Sequence, residues 1–361
     1  DQGRDDDEQE DVRRSPPSDG ERTFHLSLQS LRWLSPPAVA TTDAAIHRVP
    51  SLVNHPTRTG LRALVCLARE PDSLAVMTRH DIPASDVISV EFDGHIATVW
   101  LDRPDAHNAF APAFWEEFPA IIDALSADVE TRVVVIAAHG PSFTAGIDLK
   151  AFGPLFMGGG LDVDEGNRPT SEVGKRMALY GQVKRMQRTF TSLAECAKPV
   201  IAAVHSNCIG AGVDLITACD IRYASDDAVF SVRETKIAMV ADVGTLQRLP
   251  HIVDPSSLAE MVYTGRDVTA AEALHMGLVG RVFPDAESLH AGAHALAAEI
   301  AANSPLAVQG AKAVLRAGEG RTVAENLDYI ALWNTSFLAS NDFIEATMAF
   351  LQKRPPEFTG E

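Results

Sequence analysis

The sequence lacks long apolar runs, has few cysteines and carries a deficit of positive charge. No apolar stretch among its 361 residues approaches the roughly 18 residues that cross a membrane, so we do not expect the chain to be an integral membrane protein. Lys and Arg number 31 against 49 Asp and Glu, and the formal net charge of −18 would repel phosphate backbones, so we expect no nucleic-acid partner. Four scattered cysteines without a CxxC pair exclude a disulfide scaffold.

Several motifs that would specify a function are also missing. Neither GxGxxG nor GxxxxGK[ST] occurs, which argues against a nucleotide-binding loop, and no GxSxG supplies the nucleophile elbow of a serine hydrolase. His290 and His294 lie four residues apart, but no HExxH frame surrounds them, so a surface helix is the better interpretation. We therefore predict no metal and no cofactor.

Composition divides the chain into three parts. Residues 1–85 are predicted to be an N-terminal extension without catalytic importance, in preference to a small accessory module, and the first 22 are acidic, polar and predicted to be disordered. Residues 86–265 carry alternating strand and helix patterns, and residues 266–361 are almost wholly helical in pattern.

The middle part has the pattern of an α/β fold. Two strands are predicted around Asp93-Gly94, a hairpin turn signal. Residues 132–138 and 199–204 are continuous apolar runs, as expected for strands covered on both faces. Helical spacing follows over residues 176–195, after a loop-like stretch at 153–174.

Two glycine-containing turns follow the buried strands. One runs from Phe143 to Lys150, and the other runs from Ile209 to Asp214 and opens a helix. Unpaired amides at such a turn, aided by a helix dipole, stabilise a negative oxygen. Two turns of this kind could converge on one oxygen.

These residues also carry a family resemblance. The stretch from about Ser85 to Arg354 resembles the crotonase (enoyl-CoA hydratase/isomerase) superfamily in Leu101-Asp102-Arg103-Pro104, in the Ala145–Lys150 turn and in Lys198–Val204 with the Gly210 turn. Within it, the Ala241–Pro250 segment makes the sequence most similar to the Δ3,5-Δ2,4-dienoyl-CoA isomerase branch.

The resemblance implies a fold and a set of site residues. The implied fold is a crotonase-type spiral of ββα turns with a C-terminal helical region that drives trimers, often paired into hexamers. The implied oxyanion donors are the amides of Ile147 and Ala211, the latter standing where the family usually has glycine. The implied acids are Asp214, Glu234 and Asp242.

The implied reaction converts a 3,5-dienoyl thioester to the 2,4-diene in fatty acid β-oxidation. We expect Glu234 to take a proton from C2, Asp242 to return one at C6 and Asp214 to orient Glu234, although the first two roles could be exchanged. Each acid considered alone would be a helix cap or a solvated side chain. The alternatives are an enoyl-CoA hydratase, with Asp214 and Glu234 activating water, and a non-catalytic acyl-CoA-binding protein.

The resemblance further implies that acyl-CoA is a substrate rather than a cofactor. Contacts to CoA are expected from the region of Arg103, His107, Ala109, Ala145 and Lys150, with Lys312 as a further cation for the phosphates.

Two positions depart from the family pattern, and no targeting signal is recognisable in the sequence. The family commonly has Lys or Arg where His107 stands, and many members have Lys where Thr359 follows Phe358. The C-terminus lacks the SKL address of peroxisomes, and the acid-rich start is unlike a mitochondrial transit peptide, so cytoplasm is the expected location.

Overall fold

A computed structural model describes residues 79–156 and 171–361. The predicted disorder of the first 22 residues and most of the predicted extension lie outside these residues, as does the Gly158–Gly160 part of the predicted loop. The loop prediction over 153–174 is wrong at both ends, because one helix continues to Phe156 and the next begins at Glu172.

The described residues form strands β1 to β9. Their bounds are Ile88–Asp93, Ile96–Leu101, Val133–Ala138, Val200–Val204, Asn207–Ile209, Ile221–Ser225, Val229–Ser231, Val268–Thr269 and Arg281–Phe283.

They also form helices α1 to α11. Their bounds are Pro112–Ala127, Leu149–Phe156, Glu172–Glu195, Ala211–Thr217, Thr245–Arg248, Pro255–Thr264, Ala270–His275, Ala286–Ala301, Pro305–Ala317, Val323–Phe337 and Asn341–Gln352. None of these helices combines the length and hydropathy that a membrane crossing requires.

A six-stranded sheet organises the molecule in the order β1-β2-β3-β4-β6-β9. The predicted hairpin is present: β1 and β2 pair antiparallel around Gly94, whose φ of 54° suits a glycine turn. All further pairs in this sheet are parallel. Their carboxyl ends therefore meet along one edge, where ligands bind in open α/β sheets.

Both faces of the central strands are covered, as the continuous apolar runs predict. In β3, Val134 and Ile136 face the main core, which includes α1, α3 and α4, whereas Val133 and Val135 face the other side. That other side packs against α8, which buries an apolar residue at every fourth position: Leu289, Ala293, Ala297 and Ala301. His290, at the edge of this packed face, is half-buried beside Trp100, whereas Glu287 and Glu299 on the outer face of the same helix are exposed.

A second, three-stranded sheet of order β5-β7-β8 positions the site. Its strands have two or three residues each, and β5 leads directly into α4 through Gly210. Local sequence pattern does not predict β5 as a strand, because its pairing with β7 lies 22 residues further along the chain.

The C-terminal helices begin with side-chain caps. Thr322 and Glu325 form a reciprocal capping box at the start of α10, and the Ser340 hydroxyl accepts from the Phe343 amide at the start of α11. These local signals favour helix starts within residues 266–361, the part predicted to be almost wholly helical.

Candidate active site

The first glycine turn connects β3 to α2 and leaves one amide free. The Phe110 amide donates to the Gly146 carbonyl over 2.8 Å, and the Asp148 amide donates to the Phe110 carbonyl over 3.2 Å. The Ile147 amide between them has no hydrogen-bond partner among the described residues. Gly146 has a φ of 86°, which favours glycine.

The second turn connects β5 to α4. The Gly210 amide donates to the Ser231 carbonyl over 2.8 Å, and Ala211 follows as the first residue of the helix. A first-turn amide has no partner within its own helix. The Ala211 amide is accordingly unpaired within residues 79–156 and 171–361.

The two turns lie side by side. The Thr144 amide donates to the Asn207 carbonyl over 2.8 Å, and the Ile209 amide donates to the Thr144 carbonyl over 3.2 Å. A Cβ atom added to Gly146 would lie 2.5 Å from the Ile209 carbonyl oxygen and 3.5 Å from the Ala211 nitrogen. Only glycine permits this approach, which brings both free amides to one place.

That place is the wall of a cavity of about 340 Å³ with a largely apolar lining. Both free amides, two of the three predicted acids and Ala145 line it. The full lining is Trp115, Ala145, Gly146, Ile147, Leu149, Leu179, Gln182, Val183, Met186, Ile209, Gly210, Ala211, Arg233, Glu234, Ile237, Met239, Asp242 and Val243.

Glu234 lies beside the amides. It begins a 3₁₀ turn, and its Oε1 atom would lie 3.1 Å from a Cβ added to Gly210. Its Oε2 atom is buried without a hydrogen-bond partner in the described part of the chain. Burial, followed by the negative charge of Asp214, raises the pKa of Glu234 to about 7.

Asp214 lies behind the cavity and does not line it. It is fully buried on α4, and its Oδ1 atom accepts from the Thr245 amide at the start of α5. Burial raises the pKa of Asp214 to about 6, although the Thr245 hydrogen bond and the charge of Arg248 act in the opposite direction.

Asp242 lies in the cavity wall on the segment before α5. The residue is solvent-accessible, and partial burial of its carboxyl raises its pKa above the ordinary value. Its main-chain carbonyl accepts from Gln187 Nε2 on α3 over 2.7 Å.

The residues expected to contact CoA fall into two groups. His107, Ala145 and Lys150 are exposed. Arg103 is instead partly buried and engaged with the chain itself, because its Nη1 atom donates to the Ala109 carbonyl over 2.6 Å and contacts Asp148 at 3.3 Å.

Lys312 is not a surface cation, contrary to the sequence expectation. Its ammonium is buried and donates to Asp220 over 2.6 Å and to the Lys198 carbonyl over 2.8 Å. In residues 79–156 and 171–361, no group of three or more His, Cys, Asp or Glu side chains is arranged to hold a metal ion.

Sequence reasoning found the polar groups but missed most of the apolar wall. Leu179 and Val183 line the cavity at helical spacing on α3, a signal that could have identified them as one face. Trp115 comes from α1 and has no such signal, because its place in the lining depends on how α1 packs beside α3.

Paired free amides beside carboxyls of raised pKa, in an apolar cavity on a ββα framework, define an enzyme that stabilises an oxyanion and moves protons. Residues 91–361 match the family model described as enoyl-CoA hydratase/isomerase, so the chain belongs to that family. The family acts on acyl-CoA substrates.

Curated relatives narrow the comparison. The chain is 40% identical over 299 residues to a protein of Mus musculus named Delta(3,5)-Delta(2,4)-dienoyl-CoA isomerase, mitochondrial, covering 81% of this chain and 88% of the relative. It is 40% identical over 282 residues to the peroxisomal protein of that name from Arabidopsis thaliana, covering 78% and 99%.

Solved structures confirm the crotonase-type α/β fold. An enoyl-CoA hydratase from Bacillus anthracis superposes with a TM-score of 0.67 at 30% identity, covering 76% of this chain and all of that one. A structure from Streptomyces coelicolor, titled putative enoyl-CoA hydratase, gives 0.69 at 26% identity, covering 77% and 96%.

The expected cytoplasmic location is contradicted by the named relatives. Those from mouse, rat and human are named mitochondrial, and the one from Arabidopsis thaliana is named peroxisomal. The expectation rested on the lack of a recognisable address, and such a lack carries no information about the compartment.

Proposed function

We propose that this protein is a Δ3,5-Δ2,4-dienoyl-CoA isomerase of fatty acid oxidation. Relatives at 40–44% identity bear that name. The observation that carries the proposal is that Glu234 and Asp242 line the same cavity as the unpaired amides of Ile147 and Ala211. The hydrogen-bond donors and the proton carriers that the reaction needs therefore face one bound acyl chain.

The amides of Ile147 and Ala211 accept the thioester oxygen. Removing the C2 proton places negative charge on that oxygen, and two fixed donors in a water-poor cavity stabilise it. One such donor contributes about 2.7–4 kcal/mol in another enzyme. Because both amides are unpaired among the described residues, neither has to break another hydrogen bond before it binds the thioester oxygen.

The proton transfer follows from the order of groups along the cavity. Because Glu234 is next to Gly210 and hence next to the proposed oxyanion site, we infer that it acts at C2, the carbon beside the thioester carbonyl. As a carboxylate, it takes the C2 proton and leaves a trienolate, an enolate conjugated with both double bonds of the diene. Protonated Asp242 gives its proton to C6, and the 2,4-diene forms as the oxyanion collapses. Exchange with solvent then returns one proton to Asp242 and removes one from Glu234.

Asp214 acts through Glu234 rather than on the substrate. It does not line the cavity, and its charge is the second cause of the raised pKa of Glu234. A pKa of about 7 leaves a large fraction of Glu234 ionised at neutral pH while keeping it basic enough to take a carbon-bound proton.

The same geometry weighs against the hydratase alternative. Activation of water by Asp214 and Glu234 would require both carboxylates at the cavity, whereas Asp214 is fully buried and bonded to the Thr245 amide.

An absorbance assay with purified protein separates the alternatives. Formation of a 2,4-dienoyl thioester raises ultraviolet absorbance, and hydration of a 2-enoyl thioester lowers it. We expect the rise with a 3,5-dienoyl-CoA. Hydration without isomerisation would refute the proposal, and acyl-CoA binding without any turnover would support the non-catalytic alternative.

For the CoA moiety, Lys150 is the best-placed of the predicted cations. It is exposed one residue after Leu149, which lines the cavity, whereas Lys312 is buried and Arg103 already binds the Ala109 carbonyl and Asp148. We propose that Lys150 meets a phosphate, with His107, Ala109 and Ala145 forming the adjacent surface.

We also propose a homotrimer or a pair of trimers, as the family resemblance implies. α10 and α11 leave large apolar side chains exposed, including Leu327, Leu332, Ile344 and Phe350. An amphipathic helix normally buries its apolar face. Light scattering should give three or six times the chain mass, and a monomer would contradict the proposal.

A further inference from the structure

Asp242 lies on a segment with little main-chain support. The segment Val240–Val243 runs between the 3₁₀ turn at Glu234–Ile237 and α5. Among the described residues, its main chain makes one hydrogen bond to another element, from Gln187 Nε2 to the Asp242 carbonyl, besides the contact of the Asp242 amide with its own carboxyl. The flanking side chains of Ala241 and Val243 are buried in the core, and Gln187 adds the polar contact that joins this segment to α3.

Gln187 is itself held in place. It lies on the 24-residue helix α3 beside Met186, which is buried and lines the cavity. Lys184 Nζ donates to Gln187 Oε1 over 2.7 Å, which leaves the Nε2 group directed at the Asp242 carbonyl. Gln187 does not line the cavity, so it does not contact the acyl chain.

We propose that Gln187 is a positioning residue for the C6 half of the reaction. It ties the Asp242 segment to α3, the helix that also forms the acyl-chain wall, and thereby fixes the distance between the Asp242 carboxyl and C6. The proposal rests on the proposed isomerase function. It predicts that loss of the Gln187 donor slows protonation at C6 and leaves proton removal at C2 intact.

The test replaces Gln187 by Met, which keeps the length of the side chain and removes the donor. Wild type and Gln187→Met are given a 3,5-dienoyl-CoA in D₂O. Product is followed by absorbance, and deuterium at C2 of recovered substrate is followed by mass spectrometry. We expect kcat to fall about tenfold or more because a carboxyl displaced by about 1 Å transfers protons poorly. KM should stay within about twofold because no substrate contact is lost.

The decisive readout is the ratio of C2 exchange to product. A trienolate that waits longer for its C6 proton returns to substrate more often, so the ratio should rise several-fold in Gln187→Met. A general loss of structure would lower both processes together and leave the ratio unchanged, and that result would overturn the proposal. An unchanged kcat would overturn it as well.

Gln309→Met provides the matched control. Gln309 lies on α9, makes no side-chain hydrogen bond among the described residues and does not line the cavity. Gln309→Met should leave kcat and the ratio of C2 exchange to product unchanged. Thermal melts of both variants show whether each is folded. If the wild-type protein does not convert the 3,5-diene, the proposed function is wrong. If the wild-type protein converts it and Gln187→Met has the same kcat and exchange ratio, only the positioning role of Gln187 is wrong.

Discussion

The two walls of the cavity are built in different ways. The amide wall, formed by the turns at Gly146 and Gly210, is cross-linked by main-chain hydrogen bonds between the two turns. The acid wall is formed by Glu234 and the Val240–Val243 segment, whose main chain makes one hydrogen bond to another element among the described residues. The oxyanion donors are thus fixed by main-chain hydrogen bonds, whereas Asp242 is positioned by the packing of its neighbours and by one side-chain hydrogen bond. Charge stabilisation needs donors that are fixed before the reaction, and the backbone supplies that rigidity directly.

The largest effect should come from disturbing the amide wall. Gly146→Ala would place a methyl 2.5 Å from the Ile209 carbonyl oxygen at a φ of 86°, so the two turns must separate. Loss of one donor alignment should lower kcat by about 10²–10³-fold in the absorbance assay. Gly94→Ala is the control, because Gly94 has a φ of 54° and a methyl there meets nothing within 4 Å. It should leave kcat unchanged, and equal losses in both variants would show that the amide wall is not special.

A smaller effect on activity should follow from removing the charge of Asp214, which lies behind the acid wall. The ionised Asp214 raises the pKa of Glu234, so Asp214→Asn should lower that pKa below about 7. The base must be ionised, and activity should fall as pH drops through its pKa. The acidic limb of the kcat/KM profile, which reports pKa values of the free enzyme, should therefore lie at lower pH in Asp214→Asn than in wild type. A limb that stays in place or moves to higher pH would contradict the assigned role.

The smallest effect should be on stability. Because the folded-state pKa of Glu234, about 7, lies above its unfolded value, this group favours the folded state only while protonated, and the benefit is lost as pH rises through about 7. Glu234→Gln removes that penalty. Its melting temperature should exceed that of wild type by a few degrees at about pH 8 and by less at about pH 5. A difference that is independent of pH would show that Glu234 is not buried as described.

Sequence predicts the parts of this molecule that depend on local pattern. The apolar runs at β3 and β4, the Asp93-Gly94 hairpin and the capped helices α10 and α11 all carry their signals within a few residues. The glycine turns belong to the same class, because the positive φ at Gly146 and Gly210 demands that residue type.

Features that depend on distant pairing could not be predicted. β5, β8 and β9 have two or three residues each and exist only through their partners. Sequence placed Lys312 among the surface cations, and only its ion pair with Asp220, 92 positions away, shows it to be internal. Gln187 has no distinguishing pattern either, because its role depends on a carbonyl 55 positions further along the chain.

The central claim is that Glu234 and Asp242 act on different carbons of one bound acyl chain. Asp242→Asn in D₂O tests it most directly, because the amide cannot supply the C6 proton while Glu234 and both main-chain donors remain. The account predicts that this variant incorporates deuterium at C2 of a 3,5-dienoyl-CoA but forms no 2,4-diene. Full-rate formation of the diene, or loss of C2 exchange together with isomerisation in a folded protein, would contradict it.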